Sequence, residues 1–253
     1  MNTPLIEIAT SDFATTKAAV KGGADRIELC ANLYEGGTTA SYGTIKKCRE
    51  SFEIPIFPII RPRGGDFLFK EEEFEIMQSD IKLCKDLACD GVVIGMLNTD
   101  GQIDLAKVAQ LIALAYPMQV TFHRAFDCCL DPFKAMEQLI ELGCQRILTS
   151  GQYPTAPEGV QLISQLQQAA KGRIIIMPGS GIRRSNIQSL FKMTGCSEFH
   201  ASLREREGSK MNFIHPNFTN VTDTYVNNTI HSEDVRMLKM AVQIAANANV
   251  KDY

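Results

Sequence analysis

The sequence has no excess of positive charge. Its 26 Lys and Arg stand against 29 Asp and Glu, for a formal net charge of −3. That leaves no general field to attract nucleic acid or an anionic membrane. No apolar run approaches the roughly 18 residues that a membrane helix needs. The first residues, Met1-Asn-Thr-Pro-Leu-Ile-Glu7, have no basic region and meet a carboxylate at once. No secretory signal is expected, and the protein is expected in the cytoplasm. There are eight cysteines but no Cys-x-x-Cys and no Cys-x-Cys. A disulfide framework is therefore not expected, and the cysteines read as thiols.

What is present alternates along the whole chain. Apolar strand-like runs begin at Leu5, Arg26, Ile54, Gly91, Val120, Arg146, Arg173 and Glu198. Amphipathic segments follow them, over about 13–21, 41–51, 71–87, 104–115, 132–142, 157–170 and 185–193. A long polar stretch then leads to a last helix over about 232–247. Asp12 is placed to cap the first helix. Eight strand–helix pairs with short links predict a parallel sheet. At this length they fit one closed (β/α)8 barrel over 1–253 better than an open doubly wound sheet.

A repeat supports closure. Gly23-Ala-Asp-Arg-Ile-Glu28, Ala88-Cys-Asp-Gly-Val-Val93, Gly143-Cys-Gln-Arg-Ile-Leu148 and Gly195-Cys-Ser-Glu-Phe-His200 lead into strands two, four, six and eight. A small residue followed by Ala or Cys marks each one, as four (βα)2 units would. Cys89, Cys144 and Cys196 occupy the place of Ala24. They read as buried filler at the bottom of the barrel, where sequence serves stability. Cys30, Cys128 and Cys129 fall at strand C-termini, the face on which barrel chemistry occurs.

That face is unusually polar. Strands one and two supply Glu7 and Glu28, and strand three supplies Arg61. Strand five gives His123, Arg124 and Asp127, and strand eight gives His200 and Ser202. A carboxylate inside a barrel must be paired, hydrogen-bonded or protonated. Arg61 is the expected partner, either as a structural pair or as an anion-binding arginine beside an acid–base carboxylate. Glu7, Glu28, His123 and His200 suit general acid–base catalysis or a metal set that includes Cys30. Gly179, Ser180 and Gly181 form a strand-to-helix turn that can present N–H groups to an anion, with Ser202 and Arg204 close by. No lysine falls in a predicted strand, which argues against Schiff-base chemistry.

Gly22–Cys30, Ile60–Phe67, Thr121–Asp127, Arg146–Gly151, Met177–Gly181 and Glu198–Ser202 together resemble the CutC copper-homeostasis family, in register over about residues 5–203. The resemblance implies a cytosolic (β/α)8 barrel, a homo-oligomer with a dimer as the first expectation. It implies a role in copper binding or trafficking, with Cys30 matching a family cysteine assigned to copper(I). The family more often has Gly at Ser180 and a small residue at Leu203. Two functions are expected from this reading. One is copper handling; the other is acid–base catalysis on a small anionic or phosphorylated substrate.

Overall fold

The computed structural model describes residues 4–218 and 226–251. Met1–Thr3, part of the stretch read for a leader, lie outside the described residues, as do 219–225 and 252–253 of the expected 1–253 domain.

Eight short parallel strands alternate with helices. They are β1 Leu5–Thr10, β2 Arg26–Leu29, β3 Ile56–Pro58, β4 Gly91–Ile94, β5 Gln119–Phe122, β6 Arg146–Thr149, β7 Ile175–Pro178 and β8 Glu198–Ala201. The intervening helices are α1 Phe13–Lys21, α2 Tyr42–Ser51, α3 Glu71–Asp86, α4 Leu105–Ala115, α5 Pro132–Glu141, α6 Val160–Ala170 and α7 Ile187–Thr194. Asp12 caps α1, its Oδ1 accepting from the Thr15 N–H at 2.8 Å. The helices bury one stripe each. In α3 it is Phe74, Met77, Ile81 and Cys84, the spacing of one helical face.

The strands fall into two four-stranded ladders, β3-β2-β1-β8 and β4-β5-β6-β7. Strand β1 pairs with β2 on one side and β8 on the other, which closes the first strand onto the last and sets Glu7 beside His200. The two ladders join where Ile59 bridges Val93 and the Ile60 N–H donates to the Val93 carbonyl at 2.8 Å. On the other side β7 and β8 lie next to each other. The fold is an α/β barrel of the (β/α)8 kind.

The predicted boundaries shift at a few places. Strand three shortens to Ile56–Pro58, because Pro55 and Pro58 lack the N–H that a ladder needs. Strand five stops at Phe122, and His123 caps a turn of 3-10 helix over Arg124–Cys128. The polar stretch after strand eight is more ordered than its composition predicts. It contains an antiparallel pair, β9 Arg204–Gly208 with β10 Val226–Ile230, ahead of the last helix, α8 Ser232–Lys251. Helix α8 packs on α1, α7 and β1.

Along a strand, alternate residues face opposite sides. Ile6, Ile8, Ile27, Leu29, Ile147, Ile176 and Phe199 are buried toward the helices. The inward positions stack in layers drawn from alternate strands. At the bottom the even strands contribute Arg26, Gly91, Arg146 and Glu198. Two residues further up they contribute Glu28, Val93, Leu148 and His200. Glu7 and Phe57 lie between. The Phe57 ring fills the space that Gly91 leaves, where a Cβ would come within 2.4 Å of it. The same ring lies 5.1 Å from the Arg26 guanidinium and 5.3 Å from that of Arg146.

Candidate functional site

The lower charged layer forms one network. Arg26 Nε donates to Glu7 Oε2, and Arg26 Nη2 donates to Glu198 Oε2 at 2.5 Å. Arg146 Nε also donates to Glu198 Oε2, at 3.1 Å. Glu7 is thus partnered by Arg26, not by Arg61 as the sequence suggested. Pairing between neighbouring strands at equal height makes Arg26 the closer cation. Arg26, Arg146 and Glu198 escaped the sequence reading as site residues. Their signal was available: they hold the same position in three of the four repeats.

Above the network sits an acid–base pair. Glu7 Oε1 meets His200 Nδ1 at 2.7 Å, and His200 Nε2 lies 3.7 Å from Glu28 Oε2. Burial alone would raise the Glu7 carboxyl, but Arg26 and His200 outweigh it and hold it below the usual range. An ionised Glu7 can only accept, so His200 Nδ1 carries a proton and Nε2 is turned toward Glu28. Burial raises the Glu28 carboxyl, against the pull of His200 and with the charge of Glu7 adding to it. Burial opposes the His200 imidazolium, yet the charge of Glu28 and the hydrogen bond to Glu7 leave its pKa raised. Both shifts make the pair hold its protons more tightly than free side chains would.

A cavity of about 400 Å3 opens over this pair on the top face. That size suits a small organic ligand. Glu28 and His200 line its floor, with Ala9, Ile59 and Leu148 around them. Arg61, Phe67, His123 and Arg124 line one wall, and Ser180, Gly181, Ser202 and Arg204 the other. Glu7, only 1 % exposed, sits beneath and does not reach it. Gly179 is also beneath the wall. A Cβ there would come within 2.4 Å of Leu148 and 3.3 Å of His200, so the turn must start with glycine. Ser180 and Leu203 take left-handed backbone, with φ of 71° and 47°. That conformation is why Gly or a small residue suits these two positions.

Three buried side-chain nitrogens lack a hydrogen-bond partner among the described residues: Arg61 Nε, His123 Nε2 and an Arg204 Nη. All three belong to residues that line this cavity. His123 Nδ1 accepts from the Ala125 N–H at 3.1 Å, so the ring proton must lie on Nε2. Burial first, and then the charge of Arg61, push its pKa down to about 3. His123 is therefore a neutral, fixed N–H donor.

Arg61, expected as a carboxylate partner or an anion-binding arginine, spends most of its guanidinium on backbone carbonyls. Nη1 donates to the carbonyls of Glu35 and Gly37 at 2.6 and 2.8 Å, and Nη2 to that of Gly65 at 2.6 Å. It pins the loops after β2 and β3, leaving Nε for a ligand. Asp127 is likewise structural. It accepts from the Thr149 hydroxyl, the Ser150 N–H and Arg124 Nε at 2.5, 3.0 and 2.8 Å. Arg204 stacks on the Tyr34 ring at 5.0 Å, and the Tyr34 hydroxyl donates to Asn228 at 3.0 Å. The ribbon is thereby tied to the cavity edge.

Cys30 is fully buried behind Glu28 and does not line the cavity. Its Sγ donates to Glu28 Oε2 at 3.4 Å. Burial, then Glu28, push the thiol well above its ordinary value. Among the described residues, no group of three or more His, Cys, Asp or Glu surrounds a common metal position. No helix among them is long and apolar enough to cross a membrane.

Fold and site together define a (β/α)8 barrel whose top face carries a buried Glu7–His200–Glu28 cluster beneath a chamber lined by Arg61, His123, Arg124 and Arg204. The chain belongs to the CutC family, which matches residues 4–205. It is 45 % identical over 244 residues to the family protein CutC of Chromobacterium violaceum, covering 95 % of this chain and 99 % of that one. It is 47 % identical over 209 residues to the human copper homeostasis protein cutC homolog, covering 83 % of this chain and 77 % of that one. A solved CutC structure from Streptococcus agalactiae superposes with a TM-score of 0.76 at 34 % identity, over 79 % of this chain and 98 % of the other.

Proposed function

We propose that the protein serves copper homeostasis, the role for which its human relative is named, and that its working part is the top-face chamber. There it binds a small anionic ligand and exchanges a proton with it. The observation that carries this reading is that three unpartnered buried side-chain nitrogens all belong to residues lining one cavity. Each such donor left dry costs about 1–3 kcal/mol, so three in one place favour a ligand that supplies acceptors. His200 and Glu28 on the floor are the groups that exchange the proton. Calorimetric titration with inorganic phosphate tests the binding. Wild type is expected to bind it, and Arg204→Ala to bind about tenfold more weakly, the loss of one charge-assisted hydrogen bond. Equal heats for the two proteins would remove the chamber from the reading.

A second reading makes copper(I) the cargo. Cys30 Sγ and His200 Nε2 flank the same Glu28 oxygen at 3.4 and 3.7 Å. A soft thiolate with an imidazole suits copper(I). Burial and Glu28 oppose forming that thiolate, and among the described residues no three His, Cys, Asp or Glu complete a metal site there. Competition titration with a copper(I) chelator separates the two. In this second reading Cys30→Ser lowers the copper stoichiometry and Cys144→Ser does not; equal losses would remove Cys30.

We further infer a cytoplasmic homodimer. All eight cysteines are free thiols, which suits a reducing compartment. Met211, Phe213 and Ile214, exposed beside the ribbon, offer an apolar patch to a second copy. Sedimentation velocity is expected to give a dimer that Phe213→Ser shifts toward monomer.

A further inference from the structure

The donors of the chamber are divided between its two walls, and the division constrains the ligand. The wall built from β3 and β5 offers single, rigid donors. His123 Nε2–H is neutral, 4 % exposed and held by its own backbone contact. Arg61 Nε is beside it, on a side chain 3 % exposed. Their surroundings are apolar, with the Phe67 ring 5.0 Å from the His123 ring and 5.0 Å from the Arg61 guanidinium. The wall built from β7 and β8 offers a different set: Arg204, the Ser202 and Ser180 residues, and the Gly181 turn. Glu28 and His200 lie on the floor between.

A simple inorganic anion would occupy one wall and leave the donors of the other dry. A ligand with two oxygen functions, one at each end, satisfies both. The neutral donor is the informative end. A fixed imidazole N–H in a dry setting is matched to an oxygen on which negative charge develops during reaction. A neutral donor serves such an oxygen because it stabilises the charge without giving up its proton. A carboxylate on the floor of the same cavity, as Glu28 is, supplies the base that proton abstraction from the neighbouring carbon needs.

We propose that the ligand of the chamber is a small α-hydroxy carbonyl compound bearing an anionic group, and that Glu28 moves a proton between its two carbons while His123 Nε2–H holds the carbonyl oxygen. This rests on the chamber being the anion site described above. The Glu28 carboxylate takes the proton from the carbon next to the carbonyl. The C–H electron pair becomes the new C=C bond, and the carbonyl π pair moves to the oxygen facing His123 and Arg61. Glu28 returns the proton to the former carbonyl carbon. His200 Nε2 carries the hydroxyl proton from one oxygen to the other. Substrate and product are isomers, so no oxidant, reductant or second substrate is consumed.

The test compares three probes by calorimetry: inorganic phosphate, glycerol 3-phosphate and phosphoglycolohydroxamate. The last two share the anion, but only the hydroxamate mimics a planar enediolate. Wild type is expected to bind the hydroxamate about 100-fold more tightly than glycerol 3-phosphate, the low end of the usual advantage of such mimics. His123→Phe is expected to erase that preference, and His123→Gln, which retains an N–H donor, to restore part of it. The wild-type comparison stands whatever the folding of the variants. Equal affinity for the hydroxamate and glycerol 3-phosphate, with phosphate bound, overturns the enediolate assignment and leaves the anion chamber standing. Binding of none of the three overturns both.

Discussion

His123 ties the acid stability of the protein to its chamber. The unfolded chain takes up a proton on this ring near pH 6.5, whereas the folded chain resists until about 3. Between those limits the unfolded state holds more protons, so this group withdraws stability as pH falls. The advantage of wild type over His123→Gln is expected to shrink by about 2 kcal/mol from pH 6.5 to pH 5, measured by urea unfolding at each pH. A constant gap would mean that the imidazole titrates freely. Glu7 has the opposite vulnerability to substitution. It is the anion against which both Arg26 and His200 are set. Glu7→Gln leaves Arg26 with Glu198 alone, and breaking one side of a buried pair costs about 3–5 kcal/mol. The same unfolding experiment reads it. At this scale the sequence was most informative about residue type and least about partner. The inward carboxylates and histidines stood out against apolar runs. That Arg26 rather than Arg61 answers Glu7 depends on strand register, and no local pattern encodes register between segments far apart in the chain.

The repeated strand is the element that makes the interior. Its first inward residue is Arg26, Gly91, Arg146 or Glu198, so a layer that is uniformly aliphatic in many barrels is here three charges and a gap. Phe57 occupies the gap and shields both arginines. Gly91→Ala therefore asks the ring, and the Gln119 carbonyl 2.7 Å from the new Cβ, to move. A loss of about 1–3 kcal/mol is expected, as for other overpacked cores, and a chemical denaturation midpoint checks it. The alternation of strands and helices was legible from periodicity, because each helix buries a stripe and each strand an apolar face. The ribbon β9–β10 was not. Its strands, Arg204–Gly208 and Val226–Ile230, are largely polar, since most of their residues face solvent. Their pairing comes from the backbone, which composition does not reveal.

For the molecule as a whole, closure is the property that matters. Strand β1 is zipped to β8 as well as to β2, and α8 returns to pack on α1, α7 and β1. First and last elements are thus mutually dependent, and we expect the full chain to unfold in one transition. Scanning calorimetry with equal calorimetric and van't Hoff enthalpies would show it; two separated peaks would divide the chain into independent parts. Closure and the residues of the top face were foreseeable, but which of them touch was not, because those contacts exist only once strands distant in sequence meet. The distribution of thiols across that closed shape has a practical side. Seven cysteines are buried, and Cys128 alone is exposed, on the edge of the chamber itself. Nature has left a single attachment point where an environment-sensitive dye could sit without any engineering. A fluorophore coupled there would brighten or dim as the chamber fills, turning the unaltered protein into a reporter with which to screen metabolite collections.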